Sequence, residues 1–405
     1  MRHNKRTLWT VLMLVLIIGL FPLPVWAGVG EPGPGPLNGD DVQQDMGLTE
    51  GLTEVVTKGR ILRILDVTEE DLVNYTLIRE EMAVEVISGP YKGERFITEN
   101  VHDPTMPYRI DVGEGDAVVL FLLVDESGEI QEGYISERAR DRSLVVLLVF
   151  FAGLMILVGG FKGFRALLAL AITMGAIVWG LLPGILAGYS PVLLTIGIAV
   201  PVILVTIPLI SGWNAKAVAA IAGTLGGVMA AGLLAWIVSV TAGLTGLSME
   251  EASMLTYIPQ AVDLDFRGLL FATNILGSLG AVMDVSVSVS SSMWEIKRHN
   301  PRIRPAKLVE SGFNVGRDII GTMANTLILA YTGSSLYLFL LFQAYEMSLF
   351  EIVNIDAMAT EIVRALAGSI GLVLTIPITA MAAAYVFGRR GLRIRRRTSG
   401  AESGE

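Results

Sequence analysis

An aspartate, Asp284, stands in the middle of an otherwise uncharged run, ATNILGSLGAVMDVSVSVSSSMW. An ionised carboxylate at the centre of a membrane helix costs at least about 2.5 kcal/mol on insertion scales, so this side chain is expected to face protein, water or an ion. Steps of three and four along the run give Asn274, Gly277, Ala281, Asp284, Ser288, Ser291 and Glu295, one helical face that is small or polar throughout. A following run carries a weaker stripe of the same kind: Asn314, Asp318, Gly321, Asn325, Ile328, Thr332 and Ser335. Two such stripes predict a shared polar cavity, and the chemistry they offer is capture and release of a proton or small cation. Plainer roles exist for each group. Asp284 suits a structural carboxylate bonded to neighbouring serines, Asp318 an interfacial ion pair beside Arg317, and Asn325 an interhelical hydrogen bond worth about 0.6 kcal/mol on average.

Other chemistries lack their residues. The chain has no cysteine, and its three histidines, His3, His102 and His299, are far apart in sequence. No P-loop, HExxH or GxSxG pattern occurs. An aspartyl protease needs two carboxylates at similar depth on facing helices, and Asp318 lies too near the end of its run. The expectation is therefore a protein that is not an enzyme, with no catalytic residue, metal site or cofactor.

The elements that position these stripes follow from composition. Of 405 residues, 52 % are hydrophobic and 17 % charged, with a mean hydropathy of +0.60; the charged fraction lies well below the roughly 25 % of soluble domains. The apolar residues fall into runs near the roughly 20 that cross a bilayer, and seven spans are expected: 144–160, 165–187, 191–211, 216–241, 267–294, 317–343 and 361–387. Alternate connectors are basic, carrying Lys162 and Arg165, then Lys216, then KRHNPRIRPAK, then RRGLRIRRR. The others carry Glu250, Glu251, Asp263 and Asp265, and then Glu346, Glu351 and Asp356. The positive-inside rule puts the basic set in the cytoplasm. Arg138, Arg140 and Arg142 go against it, a tolerated exception because large domains translocate despite their charge. Strict alternation in VSVSVS, residues 285–290, is a strand period and predicts a local distortion of the helix. In the fourth span, Ala219, Gly223, Gly227, Ala231 and Ala235 recur every fourth residue, a packing seam for another helix. Gly277 and Gly321 are read in the same way on the two polar runs.

Ahead of the spans, RHNKR, an apolar stretch and small residues at Val25 and Ala27 make 1–27 a signal peptide or anchor. Residues 28–54, with EPGPGPLNGDD, read as a flexible linker. Short β-branched runs separated by turns predict a small β-barrel or β-sandwich over 55–142, lying outside the cytoplasm. Its SGPYKGERF segment places Gly89, Pro90 and Gly93 in a strand-connecting turn. Residues 28–143 hold 25 acidic and 10 basic side chains, a charge that repels phosphate and excludes a nucleic-acid partner there. Residues 143–388 form the seven-helix domain, and 389–405 a basic and then disordered cytoplasmic tail.

Taken together, ATNILGSLGAVMDVSVSVSSSMWEI and VGRDIIGTMANTLILAYTGSSL, behind a β domain containing VEVISGPYKG, resemble the YibE/F-like family of bacterial multi-pass membrane proteins. The resemblance implies a polytopic protein and singles out Asn274, Gly277, Gly280, Asp284, Ser291, Ser292, Glu295, Gly316, Asp318, Gly321, Asn325 and Gly333, without a catalytic role for any. The functional expectation is a secondary transporter or permease of a bacterial plasma membrane. Asn274, Asp284, Ser288, Ser291, Glu295, Asp318 and Asn325 would line a pathway for a small ion or solute. The alternative is an anchored scaffold in an envelope or secretion assembly. The lipid bilayer is the expected partner, with a homo-oligomer or an envelope protein as further candidates.

Overall fold

The computed structural model describes residues 52–71, 76–105, 110–248, 250–257 and 264–399. The signal or anchor segment 1–27, most of the linker and residues 400–405 lie outside the described residues. The chain divides into two compact units, 1–154 and 155–405.

The first unit holds five strands: β1 (Thr53–Asp71), β2 (Thr76–Val86), β3 (Arg95–His102), β4 (Ala117–Val124) and β5 (Ile130–Arg138). They form one antiparallel sheet in the order β3-β2-β1-β4-β5. The long β1 serves two partners, pairing with β4 through Thr53–Arg60 and with β2 from Gly59 to Asp71. The sheet curls until its edges meet: Thr98 on β3 donates to the Gly133 carbonyl on β5, where a Cβ would overlap the Phe96 ring. Alternation decides the inside. In β4, Val118, Leu120, Leu122 and Val124 are buried while their neighbours are not, and they pack with Ile61, Met82 and Val84. Each such side chain contributes about 1.5–3 kcal/mol when fully buried. The turn after β2 has Gly89 at φ 75° and Gly93 at φ 99°, conformations that favour glycine.

Ten α-helices follow among the described residues: α1 (Asp141–Ala176), α2 (Leu182–Leu186), α3 (Pro191–Ser211), α4 (Ala215–Thr241), α5 (Glu250–Met254), α6 (Phe266–His299), α7 (Pro305–Ser334), α8 (Leu336–Ala344), α9 (Leu349–Asn354) and α10 (Asp356–Ser399). The last continues through the backbone of 389–399, where the sequence suggests a tail. Among the described residues, five helical runs are long and apolar enough to cross a membrane, and a sixth forms if α7 and α8, bent by 59°, count as one. The first run, Asp141–Leu186, has 46 residues; straight, it would extend about 69 Å, against a hydrocarbon core of about 30 Å. It is not straight. Gly160 adopts φ 55° and ψ −135°, and a Cβ on Gly163 would overlap the Met155 carbonyl, so the chain folds back on itself there.

In the second unit, α4, α6 and α10 form the core. The small-residue seam of α4 meets α10. A Cβ at Gly223 would overlap Thr379 and one at Gly227 would overlap Thr375, while Thr375 spends its hydroxyl on the Gly371 carbonyl at 2.8 Å. Close approach of this kind replaces the hydrophobic drive that lipid removes between membrane helices. Thr224 and Ser286 link α4 to α6 at 2.5 Å, both buried. The alternation at 285–290 does not unwind α6. Ser286 and Ser290 donate to the Met283 and Val287 carbonyls, so each hydroxyl is satisfied inside a continuous helix.

Candidate functional site

The packed face of α6 is Asn274, Ser278, Val282, Val285, Ser286, Val289, Ser290 and Met293. The Asp284 stripe lies on a different face. Asp284, Ser288 and Glu295 are exposed, as are Asp318 and Asn325 on α7, and Ser291 is half-buried. Asp284 makes no hydrogen bond or ion pair among the described residues. Glu295 sits at the end of α6 with Arg298 at 3.7 Å and His299 at 4.0 Å. The cavity expected between the two stripes therefore does not close within one chain. Helix α6 turns its valines and buried serines toward α4 and α10, because there the glycines leave room for side chains of moderate size. Its most polar stripe is left over.

Levels along the helices follow from two close approaches. Gly312 of α7 lies against Met293, and Gly277 lies under the Tyr331 hydroxyl. An antiparallel pair crossing at those points sets Asp284 level with the Gly321–Ala324 turn, beside Asn325. Asp284, Thr322 and Asn325 thus share a depth and are all exposed. Gly321 makes no close helix contact, since a Cβ there would meet nothing within 4 Å. Gly223 and Gly227 lie in the α4–α10 seam.

Asn274 belongs to a second polar group. It is 3 % exposed, donates to the Leu270 carbonyl at 2.9 Å, and leaves Oδ1 buried without a partner. Gly368 of α10 approaches Ser278, with a Cβ placed 3.6 Å from the serine Cβ. One turn back along both helices, Asn274 comes level with Arg364. Arg364 pairs with Glu361 on its own helix. Glu361 is buried and Arg364 partly so, with side-chain exposures of 9 % and 16 %, yet among the described residues Glu361 Oε2 and Arg364 Nε have no partner. Glu361 and Tyr331 also line a cavity of about 210 Å³ between α10 and the α7–α8 bend, with Thr332, Ser335, Phe339 and Ile362 in its wall. The i, i+3 spacing of Glu361 and Arg364 is the sequence signal for this pair. No group of three or more His, Asp or Glu side chains suited to a metal ion occurs among the described residues.

Long apolar helices packed through small residues, with polar groups at depth, define a multi-pass membrane protein carrying a curled β sheet on its N-terminal side. Residues 147–389 match the YibE/F-like protein family, and the chain belongs to it. No curated protein and no solved structure matches the chain.

Proposed function

We propose that this protein is a secondary transporter or permease of a bacterial plasma membrane, in which Asp284 binds a proton or small cation on the polar face of α6 and α7. In this reading the Gly160 break divides the first run into two spans and α7–α8 makes one, giving seven. The β sheet lies outside and the C-terminus in the cytoplasm, as the basic connectors favour. The observation that carries the proposal is the absence of any partner for Asp284 among the described residues of its own chain. A structural carboxylate needs hydrogen bonds, whereas a transport site keeps its acceptors free for cargo. Because the stripe is exposed on a single chain, its other wall comes from a second copy, whose Thr322 and Asn325 stand at the depth of Asp284 and have hydrogen-bond donors to offer.

The test is ion flux in liposomes holding wild type or Asp284→Asn. Proton or cation flux that falls at least about tenfold in the variant, a loss of about 1.4 kcal/mol, supports the reading. Equal flux in both, or none in either with folded protein, overturns it. The exposure of the other stripe residues favours a second reading, an anchored scaffold whose polar face docks a helix of an envelope assembly. That reading expects no flux at all and co-purification of a heterologous membrane protein that Asp284→Asn releases.

A further inference from the structure

The connector between α6 and α7 is a built turn. Lys297 Nζ donates to the Pro301 carbonyl at 2.8 Å and reaches the Ile303 carbonyl at 3.5 Å, while the backbone N–H groups of Asn300 and Ile303 donate to the carbonyls of Ile296 and Asn300. Ile303 and Trp294 pack against the helix core, and Trp294 meets the Phe387 ring edge to face at 5.1 Å. The turn is therefore pinned to the bundle at a fixed level. Asp284 stands near the middle of the 34 residues of α6, and Arg298 lies about 21 Å further along the axis. With α6 centred in a bilayer whose hydrocarbon half is about 15 Å thick, Arg298 and the turn stand at the level of the lipid headgroups.

The charge at that level is basic and mostly unpaired. Residues 295–310 hold five basic and two acidic side chains. Lys297 is used inside the turn, and Arg298 faces Glu295 at 3.7 Å. Arg302, Arg304 and Lys307 are exposed and make no ion pair among the described residues. The other basic connectors differ. Arg165 lies over the Phe161 ring at 4.6 Å, which leaves Lys162 as the exposed cation there, and Lys216 is half-buried. The positive-inside rule asks only for a number of cations; it does not ask that three of them stand free on a folded turn at headgroup depth. We propose that the α6–α7 turn is a docking surface for anionic phospholipid, with Arg302, Arg304 and Lys307 on the phosphates. Guanidinium and ammonium groups suit phosphate oxygens, and each cation near an anionic leaflet gains about fivefold in binding. Lipid is favoured over an acidic protein because headgroups already surround a membrane-embedded bundle at this level. The proposal goes beyond the transport reading: it needs no ion at Asp284, and its test reads lipid binding without flux.

The experiment follows thermal unfolding of the full chain in neutral detergent as phosphatidylglycerol, phosphatidylcholine or inorganic phosphate is added. A ligand that binds only the folded protein raises the melting temperature in a saturable way. Phosphatidylglycerol is expected to do so with an apparent affinity at least about tenfold above phosphatidylcholine, and added salt should weaken it. The triple variant Arg302→Gln, Arg304→Gln, Lys307→Gln is expected to melt as wild type does without lipid, because these side chains are exposed and unpaired, and to lose the preference. Arg302→Lys with Arg304→Lys keeps the charge and should keep the preference; a loss there too would overturn the proposal, since the defect would lie in the fold of the turn and not in its charge. Neutralising instead the arginines of RRGLRIRRR, residues 389–397, should leave most of the preference in place. The proposal falls if phosphatidylcholine matches phosphatidylglycerol, if the triple variant keeps the preference, or if only the tail variant loses it. It falls equally if inorganic phosphate alone reproduces the shift, which would make the turn a site for a free anion.

Discussion

Replacing Asp284 with leucine separates two surroundings that the exposed carboxylate allows. If the side chain faced acyl chains, the substitution would remove a penalty of about 2.5–3.5 kcal/mol and add about 0.3–0.6 kcal/mol of apolar transfer, a net gain of about 3–4 kcal/mol. If a second copy covers it, the substitution instead loses hydrogen bonds to Thr322 or Asn325 across the interface. Such contacts average about 0.6 kcal/mol and reach about 1.7. Two-fold symmetry uses each of them twice, so the dimer loses about 1–3 kcal/mol, roughly five- to 150-fold in its dissociation constant. The assay is energy transfer between chains in liposomes as lipid dilutes the protein. With no cysteine in the chain, a dye is readily confined to one introduced site, Arg298→Cys, which is exposed at the end of α6. The expected result is weaker association of Asp284→Leu with an unchanged monomer melt in detergent. A variant that associates as tightly as wild type, or more tightly, refutes the argument that another chain completes this face.

Two further outcomes follow from particular contacts. Gly227→Ala drives a methyl group into Thr375 and to 2.8 Å from Val282 Cγ1, so overpacking is expected to cost about 1–3 kcal/mol. Gly321→Ala meets nothing and should be neutral or stabilise by up to about 1 kcal/mol through helix propensity; equal melting temperatures for the two variants would contradict the seam. In the β4–β5 turn, the Ser127 hydroxyl and then the Glu129 backbone N–H hold the Asp125 carboxyl down to about 2, below its ordinary value of about 3.9. A depressed folded-state value means that the turn's stabilisation is fully present above about pH 4 and is lost as pH falls through about 2. Carbon-detected NMR of Asp125 should show its inflection there, and an inflection near 4 would mean that the turn does not hold the charge.

The sequence revealed some of these features for reasons that can be named. β4 alternates strictly, and since one side of a curled sheet must be dry, its inward residues could be read directly. The every-fourth small residues of α4 were equally plain, because only a closely approaching helix requires them. The inward face of α6 was not legible. In a soluble helix the polar stripe marks the outside, and in a membrane the expectation is reversed, so Asp284 was placed inside. The packed face of α6 was in fact chosen by size: valines and serines fill the space beside Gly227, and Ser286 and Ser290 bury their polarity on their own carbonyls. Nothing in the α6 sequence alone states which neighbour carries glycine. The Glu361–Arg364 pair was legible as i, i+3 spacing, but its burial was not, since Tyr331 beside Glu361 comes from another helix.

Helix α6 carries both polar groups on different faces, and the packing determines which of its neighbours can move relative to it. Toward α4 and α10 it is held by buried valines, by the Thr224–Ser286 contact and by a glycine seam with no spare volume, and close-packed interfaces of this kind do not deform continuously. Toward α7 the grip is uneven. The buried residues of α7 are Leu308, Gly312 and Gly316, all in its first half, and from Ile319 to Ser334 its side chains are half-buried or exposed. That second half carries Asn325 beside the level of Asp284, brings Tyr331 over Gly277, and ends at the bend into α8 that borders the cavity. A segment with few buried contacts is the one whose local motion costs least. The part of α7 that runs level with Asp284 and lines the cavity beside Glu361 is thus also the part least fixed to the core, so a shift there would alter the Asp284 face and the Glu361 cavity together while leaving the α4–α6–α10 packing intact.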